Sequence, residues 1–137
     1  LKKFNTRDAH GMQRLRENGI KLCVISAETS PAVAARMKKL SIDEYYAGVK
    51  DKLPLLNDLA IRWSISLKDL AYIGDDLGDL ECINHAGISF CPADAAPEIL
   101  QQADYICTKQ GGAGAVREVC DIILKIHSIL KADSAFS

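Results

Sequence analysis

Three aspartates stand close together in Gly74-Asp75-Asp76-Leu77-Gly78-Asp79. Carboxylates at such spacing repel one another unless a cation sits among them. Their hard oxygen donors suit magnesium, which is typically held by one or two carboxylates with waters and a phosphate. Asp75 and Asp79 are four positions apart, so at the start of a helix they can share its first turn. Aspartate is also common at helix N-termini as a cap or dipole partner. One cap needs one aspartate, however, and this cluster has three. Ser26 is a second candidate, at the end of the apolar run Ile20-Lys21-Leu22-Cys23-Val24-Ile25. Its hydroxyl, with backbone N–H groups of the following turn, can bind a phosphoryl oxygen. A serine in that position is, taken alone, more often a turn or cap residue. Lys52, in Val49-Lys50-Asp51-Lys52-Leu53-Pro54, opens a helical stretch where a cation is mildly unfavourable to the dipole. An ammonium fixed between a carboxylate and a phosphate supplies a reason for it, although in isolation the lysine reads as solvated surface.

These residues need a scaffold that brings them together, and short β-rich runs alternating with amphipathic stretches provide one. Helical spacing over 8–18 stops at Gly19, a natural C-terminal cap. Residues 20–26 read as a buried strand by length and β-branched content. Pro31 opens a helix over 31–40, at a first turn where its missing N–H does no harm. A strand near 45–49 and a helix over about 52–64 follow. The strand at 70–73 runs straight into the aspartates, and a helix covers 77–85. Then come a strand at 88–91, a short helix at 96–102 and a strand at 105–107. The last helix is expected over 114–130, so that one domain occupies 1–131 and residues 132–137 form a frayed, flexible tail. The alternation argues for an α/β fold, a Rossmann-like open parallel sheet with helices on both faces. In such sheets the site lies at the C-terminal ends of the strands, where Ser26, Asp75 and Asp76 fall.

The length of 137 residues is enough for a single core. With 48% hydrophobic and 26% charged residues, the composition is that of an ordinary globular domain. A net charge of −1, evenly spread, argues against nucleic acid or a membrane surface as partners. No apolar run approaches the roughly 20 residues that a membrane span requires. Five cysteines without a Cys-x-x-Cys spacing fit reduced thiols and a cytoplasmic location better than a disulfide framework or a zinc site. The sequence opens on Leu1 rather than Met and has no leader pattern, which reads as a piece of a longer protein.

In this order, strand–Ser26, loop–Lys52 and strand–Asp75-Asp76-x-x-Asp79 resemble the second, third and fourth motifs of the haloacid dehalogenase superfamily. Phe4-Asn5-Thr6-Arg7-Asp8 with Gly11, Ala71-Tyr72-Ile73-Gly74-Asp75-Asp76, Pro92-Ala93-Asp94-Ala95 and Ala103-Asp104-Tyr105 are similar to stretches of the 3-deoxy-D-manno-octulosonate 8-phosphate phosphatases. Gly111-Gly112-Ala113-Gly114-Ala115-Val116-Arg117-Glu118 resembles their Gly-Gly-x-Gly-Ala-x-Arg-Glu signature. Relatives of that family include nonulosonate 9-phosphate phosphatases and the C-terminal module of some CMP-sialate synthetases. The resemblance implies a cap-less, magnesium-dependent phosphomonoesterase, often a homotetramer, acting on a phosphorylated sugar acid of lipopolysaccharide or sialic acid biosynthesis. It places the magnesium site at Asp75, with Asp76 and Asp79 in support through water or by orienting neighbours. Ser26 would bind the phosphoryl group, Lys52 would bridge phosphate and nucleophile, and Arg7, Gly112 and Arg117 join the substrate-binding set.

Two departures matter. The family's first motif, Asp-x-Asp-Gly at the end of a first strand, is absent, so the nucleophile and the acid–base aspartate are missing along with that strand. Either they lie upstream, or the module has lost catalysis and serves assembly beside a cytidylyltransferase domain. Retention of Lys52 and all three acidic residues favours the first. The second departure is Ser26-Ala27-Glu28, where the octulosonate enzymes typically carry Thr-Gly-Arg. Glu28 and Arg36, about two helical turns apart, resemble the nonulosonate enzymes. Equally, Glu28 complements a helix N-terminus and Arg36 is surface.

Overall fold

The computed structural model describes residues 6–42 and 44–136. Helix α1 (Thr6–Glu17) leads to strand β1 (Cys23–Ile25), helix α2 (Pro31–Lys39) and strand β2 (Glu44–Tyr46). Helix α3 (Lys52–Arg62) and strand β3 (Ala71–Ile73) follow, then a 3₁₀ turn (Leu77–Asp79) running into helix α4 (Leu80–His85). Strand β4 (Ile88–Cys91), helix α5 (Pro97–Gln102), strand β5 (Tyr105–Ile106) and helix α6 (Ala115–Phe136) complete the chain. The starts obey local chemistry. Ser30 caps α2 by accepting the Val33 N–H, and Pro31 sits in its first turn, where no backbone donor is lost.

Every strand pairing is parallel, as crossover helices require. The expected single open sheet is divided, however. β1 pairs with β2, Cys23 opposite Glu44 and Ile25 opposite Tyr46, while β3, β4 and β5 form a second ladder. Among the described residues, β1 and β3 each keep one edge without a strand partner. The two ladders nonetheless share a core. Leu56, Leu59 and Ala60 of α3 pack over Cys23 and Ile25 of β1, Tyr46 of β2 and Tyr72 of β3.

Side chains alternate across the second ladder as the pleat demands. Tyr72 turns toward α3 and α4, whereas Ile73 packs with Phe90 and the Ala115–Val119 face of α6. On β4, Phe90 joins that same α6 cluster, while Cys91 packs with Ile83, Ala95 and Ile99 beneath α4 and α5. Full burial of a Leu or Phe is worth about 1.5–3 kcal/mol, so Leu59 at 1% exposure and Phe90 at 0% are principal anchors of the two faces. The α1–α6 seam is close because Gly11 has no side chain. A Cβ there would lie 2.9 Å from Cys120 Cβ and 3.0 Å from Arg117 Cδ. Around this gap Met12, Leu15, Cys120 and Leu124 are buried together.

Two boundaries differ from the sequence expectation in an instructive way. Residues 20–22 lie outside β1, whose length equals that of β2, its one partner. α6 runs on to Phe136, so residues 132–136, expected as a tail, have helical backbone. The segment holds no glycine or proline to stop it. No helix among the described residues is long and apolar enough to cross a membrane.

Candidate active site

β3 ends at Ile73, and Gly74 turns the chain out of the ladder while its N–H still bonds Phe90 O at 3.1 Å. A Cβ on Gly74 would collide with the Asp79 side chain. Glycine is what lets that carboxylate fold back over the strand end. Asp76 caps the 3₁₀ turn, its Oδ1 accepting the Gly78 N–H at 2.9 Å. Asp79 returns the capping box, Oδ2 accepting the N–H of Asp75 at 3.0 Å and of Asp76 at 3.3 Å. Capping therefore accounts for part of the cluster without dissolving it. The carboxylates of Asp75, Asp76 and Asp79 each offer an oxygen, all within 4.8 Å of one another.

The other oxygen of Asp79 faces inward. Oδ1 accepts from Lys52 Nζ at 2.7 Å and from the Tyr72 hydroxyl at 2.5 Å. Lys52 is 6% exposed and Asp79 4%, so this is a buried ion pair. Such a pair is costly unless its remaining hydrogen-bond positions are filled. On Asp79 they are, because a carboxylate has about four acceptor positions and the hydroxyl, the ammonium and two backbone N–H groups occupy them. Burial opposes the Asp79 charge, but Lys52, Tyr72 and the Asp75 N–H outweigh it and hold the carboxyl below the usual aspartate range. Burial, followed by the Asp79 charge, pushes the Tyr72 phenol far above its usual range, so it remains a donor.

The hard oxygen donors of this turn fit magnesium in kind and spacing. Asp79 is fully engaged by protein donors, and Asp76 has committed only Oδ1 to its cap. Asp75 and Asp76 could hold the ion directly, with Asp79 fixing the turn that carries them.

Ser26 lies just past β1, 9% exposed. Its N–H bonds Tyr46 O at 2.8 Å, its carbonyl accepts the Val49 N–H at 3.0 Å and its Oγ accepts the Glu28 N–H at 3.2 Å. The segment leading into Lys52 is thus laced to the end of β1. A third loop joins through 93–96. Asp75 O accepts the Ala96 N–H at 2.9 Å, Asp94 Oδ1 accepts the Gly111 N–H at 2.8 Å, and Lys109 O accepts the Ala93 N–H at 2.9 Å. Gly112 has a left-handed φ of 75° in that loop. Glu118 fastens its other side by accepting the N–H groups of Thr108 and Lys109 and the hydroxyls of Thr108 and Tyr105.

Of the residues singled out by sequence, Lys52, Asp75, Asp76 and Asp79 meet directly, and Ser26 is tied to them through Val49. Glu28 is exposed in the loop beyond Ser26, and Arg36 is half-buried in the last turn of α2. Arg117 donates from Nε to Asp121 at 2.9 Å along α6, where Asp121 also meets Arg14 at 3.5 Å. The Arg7 side chain lies outside the described residues. Residue spacing does not reveal Tyr72, Asp94 and Glu118 as organisers of the site. Tyr72 carries a signal all the same: a tyrosine on a strand packed against aliphatics needs a partner for its hydroxyl wherever that end is shielded from water.

A model of the haloacid dehalogenase-like hydrolase family matches residues 48–119, more than half of the chain. The chain belongs to that family. Within it, the 3-deoxy-D-manno-octulosonate 8-phosphate phosphatase of Escherichia coli K12 is 38% identical over 124 residues, covering 90% of this chain. The chain spans 66% of the length of that curated relative. The solved structure of the phosphatase of the same name from Yersinia pestis has a TM-score of 0.90 at 37% identity, covering 96% of this chain and 71% of that one. The Moraxella catarrhalis counterpart, solved with a magnesium ion, a phosphate ion and a KDO molecule, has a TM-score of 0.89 at 40% identity, covering 98% and 77%. The family expected from the motifs and the α/β architecture expected from the alternation of elements both hold.

Proposed function

We propose that this haloacid dehalogenase-like domain hydrolyses, with magnesium, the phosphate ester of a 3-deoxy-2-ulosonic sugar acid, octulosonate 8-phosphate or nonulosonate 9-phosphate. The observation that carries the reading is the buried Lys52–Asp79 pair locked against the Asp75–Asp76 turn. A domain kept only for packing has no use for a buried ammonium beside three carboxylates, since an apolar pair would be at least as stable. The relatives named for octulosonate 8-phosphate, and the one solved with magnesium, phosphate and KDO, support the substrate class.

In this reading the nucleophile is an aspartate on a strand upstream of Leu1. Its carboxylate attacks phosphorus, the ester P–O bond breaks, and a second aspartate two residues on gives a proton to the leaving oxygen. Water then cleaves the aspartyl-phosphate. Magnesium bound at Asp75 and Asp76 would supply charge neutralisation. Lys52 would hold its ammonium against the transferring group. Ser26 Oγ accepts the Glu28 N–H, which leaves its own proton for a phosphoryl oxygen. Glu28, Arg36, Arg7, Gly112 and Arg117 are the candidates for selecting the sugar acid, Glu28 favouring hydroxyls or an amine over a carboxylate. Arg117 would have to share its guanidinium with Asp121. A homotetramer would cover exposed apolar side chains such as Ile106 on β5 and Ile129 and Leu130 on α6. The second reading, an assembly module of a CMP-sialate synthetase fused to a cytidylyltransferase domain, draws on the absence of any Asp-x-Asp.

The test is phosphate release from 8- and 9-phosphorylated ulosonic acids. The chain alone is compared with the chain preceded by the N-terminal segment of the Yersinia pestis relative. Turnover is expected only in the second, and Asp75→Asn should lower it by at least about a hundredfold with the fold intact. A folded, magnesium-binding graft that releases no phosphate would leave the assembly reading standing.

A further inference from the structure

Asp79 Oδ1 is shared by two donors from different elements, the Lys52 ammonium at 2.7 Å and the Tyr72 hydroxyl at 2.5 Å. We infer that Tyr72 is a positioning residue of this site: by gripping the oxygen that anchors Lys52, it sets where the lysine ammonium stands. The inference rests on the phosphatase reading for what Lys52 does, and on the geometry alone for how it is held.

A lysine stem has four rotatable carbons, and its ammonium is a point charge without preferred direction. One acceptor sets a distance and little else. The acceptor must itself be fixed, and an aspartate carboxylate turns easily about its last torsion, which is broad and two-fold. On Asp79, Oδ2 is held by the Asp75 and Asp76 N–H groups, which belong to the same turn as the carboxylate. Tyr72 is different in kind. It rises from β3, and its half-buried ring packs against the core clusters that include Leu56, Leu59 and Ala60 of α3 and Cys82 and Ile83 of α4. Its hydroxyl therefore refers Oδ1, and through it Lys52, to the core of the domain. Phenylalanine would fill the same volume and lose that reference point together with the hydroxyl's contact to the Cys82 thiol.

Lys52 reactivity reads the effect directly. The chain and its Tyr72→Phe variant are treated with a small acylating reagent, and the rate at each lysine is followed by mass spectrometry. Leu59→Ala serves as a control that loosens the same core without touching the hydroxyl. A hydrogen bond to a charged group is worth enough that Lys52 acylation should rise about tenfold in Tyr72→Phe, with Lys50 and Lys68 unchanged. Per degree of Tm lost, Leu59→Ala should raise it far less. In an Asp79→Asn background, where the anchoring charge is already gone, Tyr72→Phe should add little, because the two act through one atom. Equal rises in Tyr72→Phe and Leu59→Ala at matched Tm loss, or additivity with Asp79→Asn, would overturn the inference and make Tyr72 a packing residue. No arm needs turnover, so an inactive graft would sink the phosphatase reading and leave this one to its own data.

Discussion

Glu118 accepts the Thr108 and Lys109 N–H groups and two hydroxyls, and so secures the loop that carries Gly111 and Gly112. Burial works against its charge, but these donors prevail and hold the carboxyl below its ordinary 4.5. A group whose folded value is depressed contributes stability above its unfolded value and loses it as pH falls through the folded one. Glu118→Gln should therefore cost Tm at neutral pH, and the gap from the parent should close as pH drops below 4.5. Thermal melts across that range test it, and a gap constant with pH would mean the charge is irrelevant to the clamp. The same scale shows what sequence spacing can carry. Asp75, Asp76 and Asp79 are neighbours in the chain, so their convergence is legible from spacing alone. Lys52 needs the family resemblance, because 27 positions separate it from Asp79. Tyr72 is legible only as a strand residue, since its hydroxyl meets Asp79 through the reversal at Gly74.

At the scale of elements, the seam between α1 and α6 turns on one atom's absence. Replacing glycine with alanine in an exposed helix gains about 1 kcal/mol, and at Gly11 that gain is set against a clash. The added Cβ would stand 2.9 Å from Cys120 Cβ and 3.0 Å from Arg117 Cδ. Overpacking typically costs about 1–3 kcal/mol, and the backbone-proximal Cβ of Cys120 cannot swing aside as the arginine stem can. Gly11→Ala should therefore lower Tm despite better helix propensity, and an increase in Tm would show that the helices separate freely. Helix existence and order follow from periodicity here, with most ends within a few residues. The misses are decided by tertiary context and local capping. Periodicity makes residues 77–85 one helix, but the capping box between Asp76 and Asp79 tightens its first turn to 3₁₀.

For the whole molecule the division of the sheet is the governing fact. β4 has a strand on each side, and Ser89, Phe90 and Cys91 are at most 1% exposed. Among the described residues β1 and β3 have one partner each, and their side chains are half-buried or, at Ala71, exposed. Chain order runs from β1 to β2 in one ladder, then through α3 to β3, β4 and β5 in the other. Both ladders pack against α3, and in open parallel sheets ligands bind beyond the C-terminal ends of the strands. Periodicity can show parallel strands and their order along the chain but not this division, because an unpaired edge leaves no mark on a strand's own pattern. In the proposed reading, an upstream parallel strand pairs with both β1 and β3 and brings its C-terminal end beside Ser26 and Asp75. Hydrogen exchange on the Yersinia pestis graft tests the placement independently of turnover. Amides at 23–25 and 71–73 should slow by at least about tenfold relative to the chain alone, matching about 1.4 kcal/mol of added local stability. Those of β4, already paired on both edges, should change no more than global stability requires. Protection confined to the free edges of β2 or β5 would place the strand elsewhere, and with it the proposed nucleophile too far from Lys52 for the proposed chemistry.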